Sequence, residues 1–93
     1  MQIAVLELTL HLGWTHSLKE KRSEIKSLLG GIRNKFNASA AESDMQDAHQ
    51  MAVITVAMVA SDRAAGDAMM EKVLCFVEQS TEAVITEVIK EYR

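Results

Sequence analysis

The side chains best suited to chemistry in this sequence are basic and lie close together. The candidates for binding an anion are His16, Lys19, Lys21, Arg22, Lys26 and Arg33. If residues 17–35 form a helix, four of these residues fall within about 60° on one flank, with no acidic residue among them: Lys19, Arg22, Lys26 and Arg33. Lys21 and Arg22 also lie near the helix start, where the helix dipole favours carboxylates. The pattern predicts a surface for RNA phosphates or an acidic partner. The alternative is a solvated flank whose stems cover the edge of the core.

The segment 13–17, just before this helix, combines features of a ligand-binding loop. Gly13 permits a tight or left-handed backbone, and the helix start presents amides and the positive end of the dipole. Trp14 offers either a stacking surface for a base or a cap over the core edge. The expected occupant is a sulfate, phosphate or carboxylate. Ser17 and Glu20 compete for the same amides, because their spacing is that of a capping box.

Histidine and aspartate side chains form a second group of candidates. The group contains His11, His16, Asp44, Asp47 and His49. In the fold predicted below they gather at one end of the sheet, and imidazole with carboxylate suits a transition metal or acid–base chemistry. Their spacing matches no compact ligand motif, so the sequence leaves open a site or a plain polar rim. We expect no metal, no cofactor, no catalytic residue and no enzymatic activity.

Other functional motifs are missing from the sequence. It contains no CxxC pair, no phosphate-binding loop and no G-x-S-x-G motif, and it indicates no small-molecule substrate. The single cysteine, Cys75, is predicted to point outward from the second helix as an inert residue. The predicted first and third strands carry no aromatic residue, which excludes RNA binding by base stacking on those strands.

The periodicity of apolar residues predicts the elements that position these side chains. They are a strand over 2–12, a helix over 17–35, a strand over 36–41, a turn over 43–47, a central strand over 51–60, a helix from 61–62 onward and a strand over 81–91. The order β-α-β-β-α-β predicts a ferredoxin-like α+β sandwich, with antiparallel strands in the order 4-1-3-2 and both helices on one face. The alternative is another two-layer α+β arrangement.

Length and composition indicate one small domain over residues 1–93. The chain has a mass of 10.3 kDa, is 48% hydrophobic and 25% charged, and has a net charge of −3. Residues 1–35 hold six Lys and Arg against three Asp and Glu, whereas residues 36–93 hold four against ten. No apolar run approaches the about 20 residues of a membrane span, and the start lacks a basic leader. We therefore expect a cytoplasmic protein with no membrane partner.

Several segments resemble the YlxP-like family of small uncharacterised bacterial proteins. The most specific is H-S-L-K-E-K-R-S at 16–23, and the likeness continues at 35–42, Asp44, Asp47, 52–54, 62–63, 72–74 and 76–78. The resemblance implies a ferredoxin-like fold and supplies no established activity or catalytic residue. Members of the family are often encoded beside translation initiation and ribosome maturation genes, so the resemblance also implies a ribosome-linked role.

Three functional hypotheses follow from the sequence, of which the third, a small hydrolase or metal-dependent enzyme, depends on the histidine and aspartate group described above. The first is a small binding module that contacts RNA or a ribosomal component through the basic flank of the first helix. The second is an interaction protein that acts as a homodimer without a nucleic-acid role, because Ile3 and Val5 add apolar surface to the helix-free sheet face. The alternative to the dimer is a monomer whose open face is mixed enough to remain in water, because it also carries Glu7, Thr9, His11 and Thr55.

Overall fold

The computed structural model describes residues 1–93 and has the element order β-α-β-β-α-β. The elements are β1 (Gln2–His11), α1 (Leu18–Lys35), β2 (Ser39–Asp44), β3 (Met51–Ala60), α2 (Arg63–Ser80) and β4 (Val84–Tyr92). The strands form one antiparallel sheet in the order β2-β3-β1-β4, and both helices pack on the same face. The predicted ferredoxin-like α+β sandwich, with its strand order 4-1-3-2 read from the other edge, is confirmed.

The two central strands form the middle of the sheet because their apolar residues alternate. β1 and β3 pair over all ten residues, from Gln2 opposite Ala60 to His11 opposite Met51. On the face that carries the helices, the even-numbered residues of both strands from Ala4 onward are buried, as Leu6 and Val56 illustrate. A period of two places these side chains on one face, which joins a core of 17 buried residues shared with both helices.

Each helix begins at a residue whose side chain accepts a hydrogen bond from the first turn. The Ser17 Oγ accepts the Glu20 amide at 3.2 Å, and the Glu20 carboxylate accepts the His16 amide at 3.2 Å. The Asp62 carboxylate accepts the Ala65 amide at 2.8 Å at the start of α2. These contacts satisfy amides that lack a partner within the helix. Neither helix is long and apolar enough to cross a membrane.

The second strand lies later in the chain than its alternating pattern predicts. The prediction of a strand over 36–41 is wrong in its bounds, because Phe36 ends α1 in extended conformation and its amide donates to the Ile32 carbonyl. The Phe36 ring packs edge-on against Phe76 of α2, with centroids 5.7 Å apart. The aromatic side chain thus belongs to the contact between the helices, and the chain joins the sheet at Ser39.

Two further boundaries differ from the sequence prediction. The turn predicted at 43–47 follows Asp44, the last residue of β2, and contains Met45 at a positive φ of 59°. β4 begins at Val84 because Thr81 ends α2 and its hydroxyl accepts the Ala83 amide at 3.1 Å. The pairing of β2 with β3 is interrupted by a register shift between Glu42 and Asp44.

Tyr92 joins the end of β4 to the first turns of α2. Its hydroxyl lies within hydrogen-bond distance of the Asp67 carboxylate and, at 2.9 Å, of the Arg63 carbonyl. The Arg63 guanidinium lies over the ring, 4.9 Å from its centroid. Desolvation, followed by the hydrogen bond to Asp67 and its charge, raises the pKa of Tyr92 to about 12. The ring also fills the space beside Gly66, where a Cβ would lie 2.7 Å from it.

Candidate functional site

Four exposed cations lie along one side of α1, which we call the basic flank. It consists of Lys19, Arg22, Lys26 and Arg33. The flank lies on the side of α1 that faces the edge strand β2, because an Arg33 Nη donates to the Ala40 carbonyl and Arg22 approaches Asp47 in the following turn. The rise of 1.5 Å per residue makes the row about 21 Å long from its first to its last residue.

The carboxylates near the basic flank leave its positive charge largely uncompensated. The two acids of α1 lie elsewhere on the helix, where Glu20 accepts the His16 amide and Glu24 accepts the Thr81 hydroxyl at 3.2 Å. Asp47 lies 3.9 Å from Arg22, but its side chain is 100% exposed and that of Arg22 is 59% exposed. Such exposed pairs are screened by water and salt, so Arg22 remains free to exchange Asp47 for another anion.

Lys21 does not belong to this surface, and its prediction as an anion ligand is wrong. Its side chain is fully buried, with Nζ 2.8 Å from the Glu42 Oε2 and 2.8 Å from the Met45 carbonyl. The carbonyls of Gln46 and Met51 lie at 3.3 and 3.1 Å. Because these oxygens surround the ammonium group, an external anion has no access to it. The signal was present in the sequence, since Lys21 precedes the buried Ile25 by four residues and shares its face.

The loop before α1 is held by hydrogen bonds that sequence reasoning missed. Thr15 is buried; its hydroxyl donates to the Leu12 carbonyl at 2.9 Å and lies close to the His49 carbonyl. The Gln50 amide donates to the Gly13 and Thr15 carbonyls, both at 3.2 Å. Gly13 does not adopt a positive φ. The predicted capping box uses the Glu20 amide through Ser17 and the His16 amide through Glu20, so these two amides are not available to an anion beside this loop.

Trp14 lies apart from most of the basic flank. Its ring is 39% exposed and lines a hollow of about 440 Å³ together with Glu24, Glu78 and Glu82. Of the four flank residues, only Lys19 shares a hollow with it. Because carboxylates repel phosphates, a nucleotide stacked on this indole would meet unfavourable charges. The structure therefore does not bring the predicted stacking residue together with Arg22, Lys26 and Arg33.

The histidines and aspartates near the β2–β3 turn are dispersed. No three His, Cys, Asp or Glu side chains of the chain are arranged to hold a metal ion. The Asp44 carboxylate accepts the Met45 amide at 2.8 Å, and Asp47 faces Arg22. His16 is exposed beside the start of α1, and its amide donates to Glu20. Cys75 is exposed on α2 as predicted, with the Gln79 amide 3.9 Å from its sulfur.

Comparison with known proteins gives two matches. The family model described as "Protein of unknown function (DUF503)" matches residues 3–89. The "Uncharacterized protein YlxP" of Bacillus subtilis (strain 168) is 38% identical over 66 residues, which cover 71% of this chain and 72% of that protein. The residues matched by the family model include the whole of α1 and therefore the basic flank.

Proposed function

The chain belongs to the DUF503 family of unknown function, and from that starting point we propose that it is a cytoplasmic, non-enzymatic module that binds structured RNA through its basic flank. The observation that carries this proposal is the row of four exposed cations on α1 with no acidic residue of the helix among them. A row of this kind neutralises phosphates and releases their counterions, which favours binding to any nucleic acid backbone.

The geometry favours double-helical RNA over a single strand. Recognition of single strands relies on aromatic side chains that stack on bases, whereas duplex RNA is recognised through its phosphates and shape. The basic flank contains no aromatic residue, and Trp14 lies among carboxylates. A straight row about 21 Å long on a rigid helix fits a regular backbone. Ribosomal RNA is a ligand of this chemical class, and it agrees with the ribosome-linked role that the family resemblance implies.

The direct test measures the affinity for a structured RNA hairpin as a function of salt. Contact with about four phosphates predicts a slope of about −3 to −4 in a plot of log K against log salt concentration. Lys19→Glu together with Arg22→Glu should weaken binding and make the slope less steep by about 2, because each cation that contacts a phosphate contributes about one unit. Both changes place carboxylates near the helix start, where the dipole stabilises them, so the fold is preserved.

The matched control carries the same change of net charge at another place. Lys72 and Lys90 are exposed on α2 and β4, away from the basic flank, so Lys72→Glu with Lys90→Glu should retain most of the affinity. Trp14→Ala should also bind normally. Equal loss in both charge-reversal variants would indicate attraction by overall charge alone. Absence of binding at low salt would refute the proposal.

A further inference from the structure

The sheet face without helices, which we call the open face, carries an apolar strip along its two central strands. Ile3 and Val5 of β1 lie beside Val59 and Ala57 of β3 on this face. Val59 is 62% exposed and Ile89, on the neighbouring β4, is 37% exposed. A trough of about 330 Å³ runs across the face, and beside three apolar residues it is lined by four polar ones: Val5, Ala57 and Ile89, with Glu7, Thr55, Glu91 and Arg93. Such a strip on a small protein is typical of an interaction surface.

We infer that the open face binds the open face of a second copy of this chain, related by a twofold axis that runs along the strands between β1 and β3. Rotation about this axis places β3 of one copy over β1 of the other, and β2 over β4. Residues that are opposite one another within the sheet then also face one another across the interface. The pairing of strands within one chain therefore determines which side chains meet between chains.

The apolar side chains match under this rotation. Ile3 is opposite Val59 in the sheet, so Ile3 of one copy faces Val59 of the second copy. In the same way, Val5 of one copy faces Ala57 of the second copy. The contact is made twice, as a twofold interface requires. The two pairs form a continuous apolar centre for the interface.

The polar side chains match as well. Glu7 is opposite Thr55 in the sheet, so each Glu7 carboxylate faces a Thr55 hydroxyl of the other copy. One row across the four strands contains Ser39, Ala57, Val5 and Glu91. Because the rotation places β2 over β4, Ser39 of one copy lies over the Glu91 of the second copy. Hydroxyl groups can donate hydrogen bonds to these carboxylates. No two carboxylates face each other in these pairs. Asp44, opposite Val53, and Glu87, opposite Thr9, come together only at the end of the face, where water and salt screen their repulsion.

The alternative axis, perpendicular to the strands, is unfavourable. It would place β1 over the β1 of the second copy in opposite directions, with Ile3 over His11 and Val5 over Thr9. Glu7, which lies at the centre of that strand's exposed residues, would then face the Glu7 of the other copy. Two carboxylates brought together at the centre of an interface, where water is excluded, are more unfavourable than two at its rim, so this arrangement is disfavoured.

The available area is sufficient for a reversible dimer. Strands about 4.8 Å apart that contain 10, 6, 10 and 9 residues, at about 3.3 Å per residue, give a four-stranded face of about 550 Å². Two such faces bury about 1,100 Å², which is just above the about 1,000 Å² that a specific interface needs. We therefore expect a dimer that dissociates on dilution.

Sedimentation without RNA tests the inference independently of the proposed function. The wild-type chain should change from 10.3 kDa towards twice that mass as its concentration is raised from about 10 µM to about 1 mM, a range that covers weak, reversible dimers. Ile89→Asp should weaken dimerisation at least about tenfold. Val88→Asp is the matched control, because Val88 adjoins Ile89 on the same strand, is 41% exposed and lies beside Leu74 on the helix side. The control should dimerise normally.

Crosslinking tests the proposed axis. Ala41 is opposite Thr55, and Glu7 is opposite both Thr55 and Ile89, so the axis places Ala41 over the Ile89 of the second copy. In a Cys75→Ser background, chains with Ala41→Cys mixed with chains with Ile89→Cys should crosslink to each other through a short bismaleimide. Crosslinks between identical variants should be rare. A monomer at all concentrations, equal disruption by Val88→Asp, or a preference for identical pairs would each overturn the inference.

Discussion

Replacing Lys21 with methionine tests whether the buried ammonium group is a structural support of the fold. Methionine keeps an unbranched side chain as far as Cε but removes the ammonium group, its charge and its donors. Glu42, whose side chain is 15% exposed, would lose its counter-charge, and the carbonyls of Met45, Gln46 and Met51 would lose a donor. Removing one partner of a buried ion pair costs about 3–5 kcal/mol, because the remaining charge is left uncompensated.

The expected loss is a large part of the stability of a domain of this size, which is about 5–14 kcal/mol at about 0.05–0.15 kcal/mol per residue. Urea unfolding followed by circular dichroism measures it directly. Lys26→Met is the matched control: it makes the same chemical change on the exposed side of α1 and should alter the free energy of unfolding by less than about 0.5 kcal/mol.

A second substitution identifies the cause of the loss. If the uncompensated Glu42 carboxylate dominates, Glu42→Gln should cost less in the Lys21→Met background than in the wild type. Hydrogen exchange should also become faster at residues 45–51, since the ammonium group holds the carbonyls of this turn. A loss below about 1 kcal/mol, or one equal to that of Lys26→Met, would refute this account of Lys21.

Three further predictions concern glycines in the helices and the tyrosine at the end of the sheet. Gly30→Ala should raise the free energy of unfolding by about 0.5–1 kcal/mol in urea unfolding, because a Cβ there meets nothing within 4 Å and alanine favours the helix. The phenolate absorbance of Tyr92, the only tyrosine, should appear around pH 12. Because the fold favours the neutral phenol, the contribution of Tyr92 to stability is present below pH 10 and is lost as the pH rises through about 12. Gly66→Ala should push the ring from its place and lower the pKa of Tyr92 towards 10, and an unchanged titration would contradict the packing described here.

The fold was predictable because its strongest sequence signals are local. The alternation of Leu6, Leu8 and Leu10 with less apolar residues defines β1, and the Ser17–Glu20 spacing defines the start of α1. The pattern predicts a second strand that begins before Ser39, because Phe36 continues the alternation of apolar residues. In the structure the Phe36 ring instead packs against Phe76, which is 40 residues away in the sequence. A single sequence contains no local signal for that distant contact.

The candidate site was predictable only in part. Helical spacing predicted that the basic residues would share a flank, but it could not show that Lys21 has an internal acceptor in Glu42. That contact depends on where β2 packs, which is a property of the tertiary structure. Trp14 was grouped with the cations because it is near them in sequence, yet the path of the loop turns its ring towards Glu24 and Glu78. Sequence proximity was therefore a poor guide to the electrostatic surroundings of this residue.

The hydrogen bond from Arg33 to the Ala40 carbonyl has a consequence for how copies of this protein avoid joining edge to edge. An outer strand with free backbone groups is a template for adding a strand from another molecule, which leads to aggregates that grow without limit. β2 is only six residues long, its pairing shifts between Glu42 and Asp44, and the guanidinium occupies one of its carbonyls. The β2 edge is thus closed by the same helix that presents the basic flank, so the sheet can offer its face to a partner without exposing this edge to polymerisation.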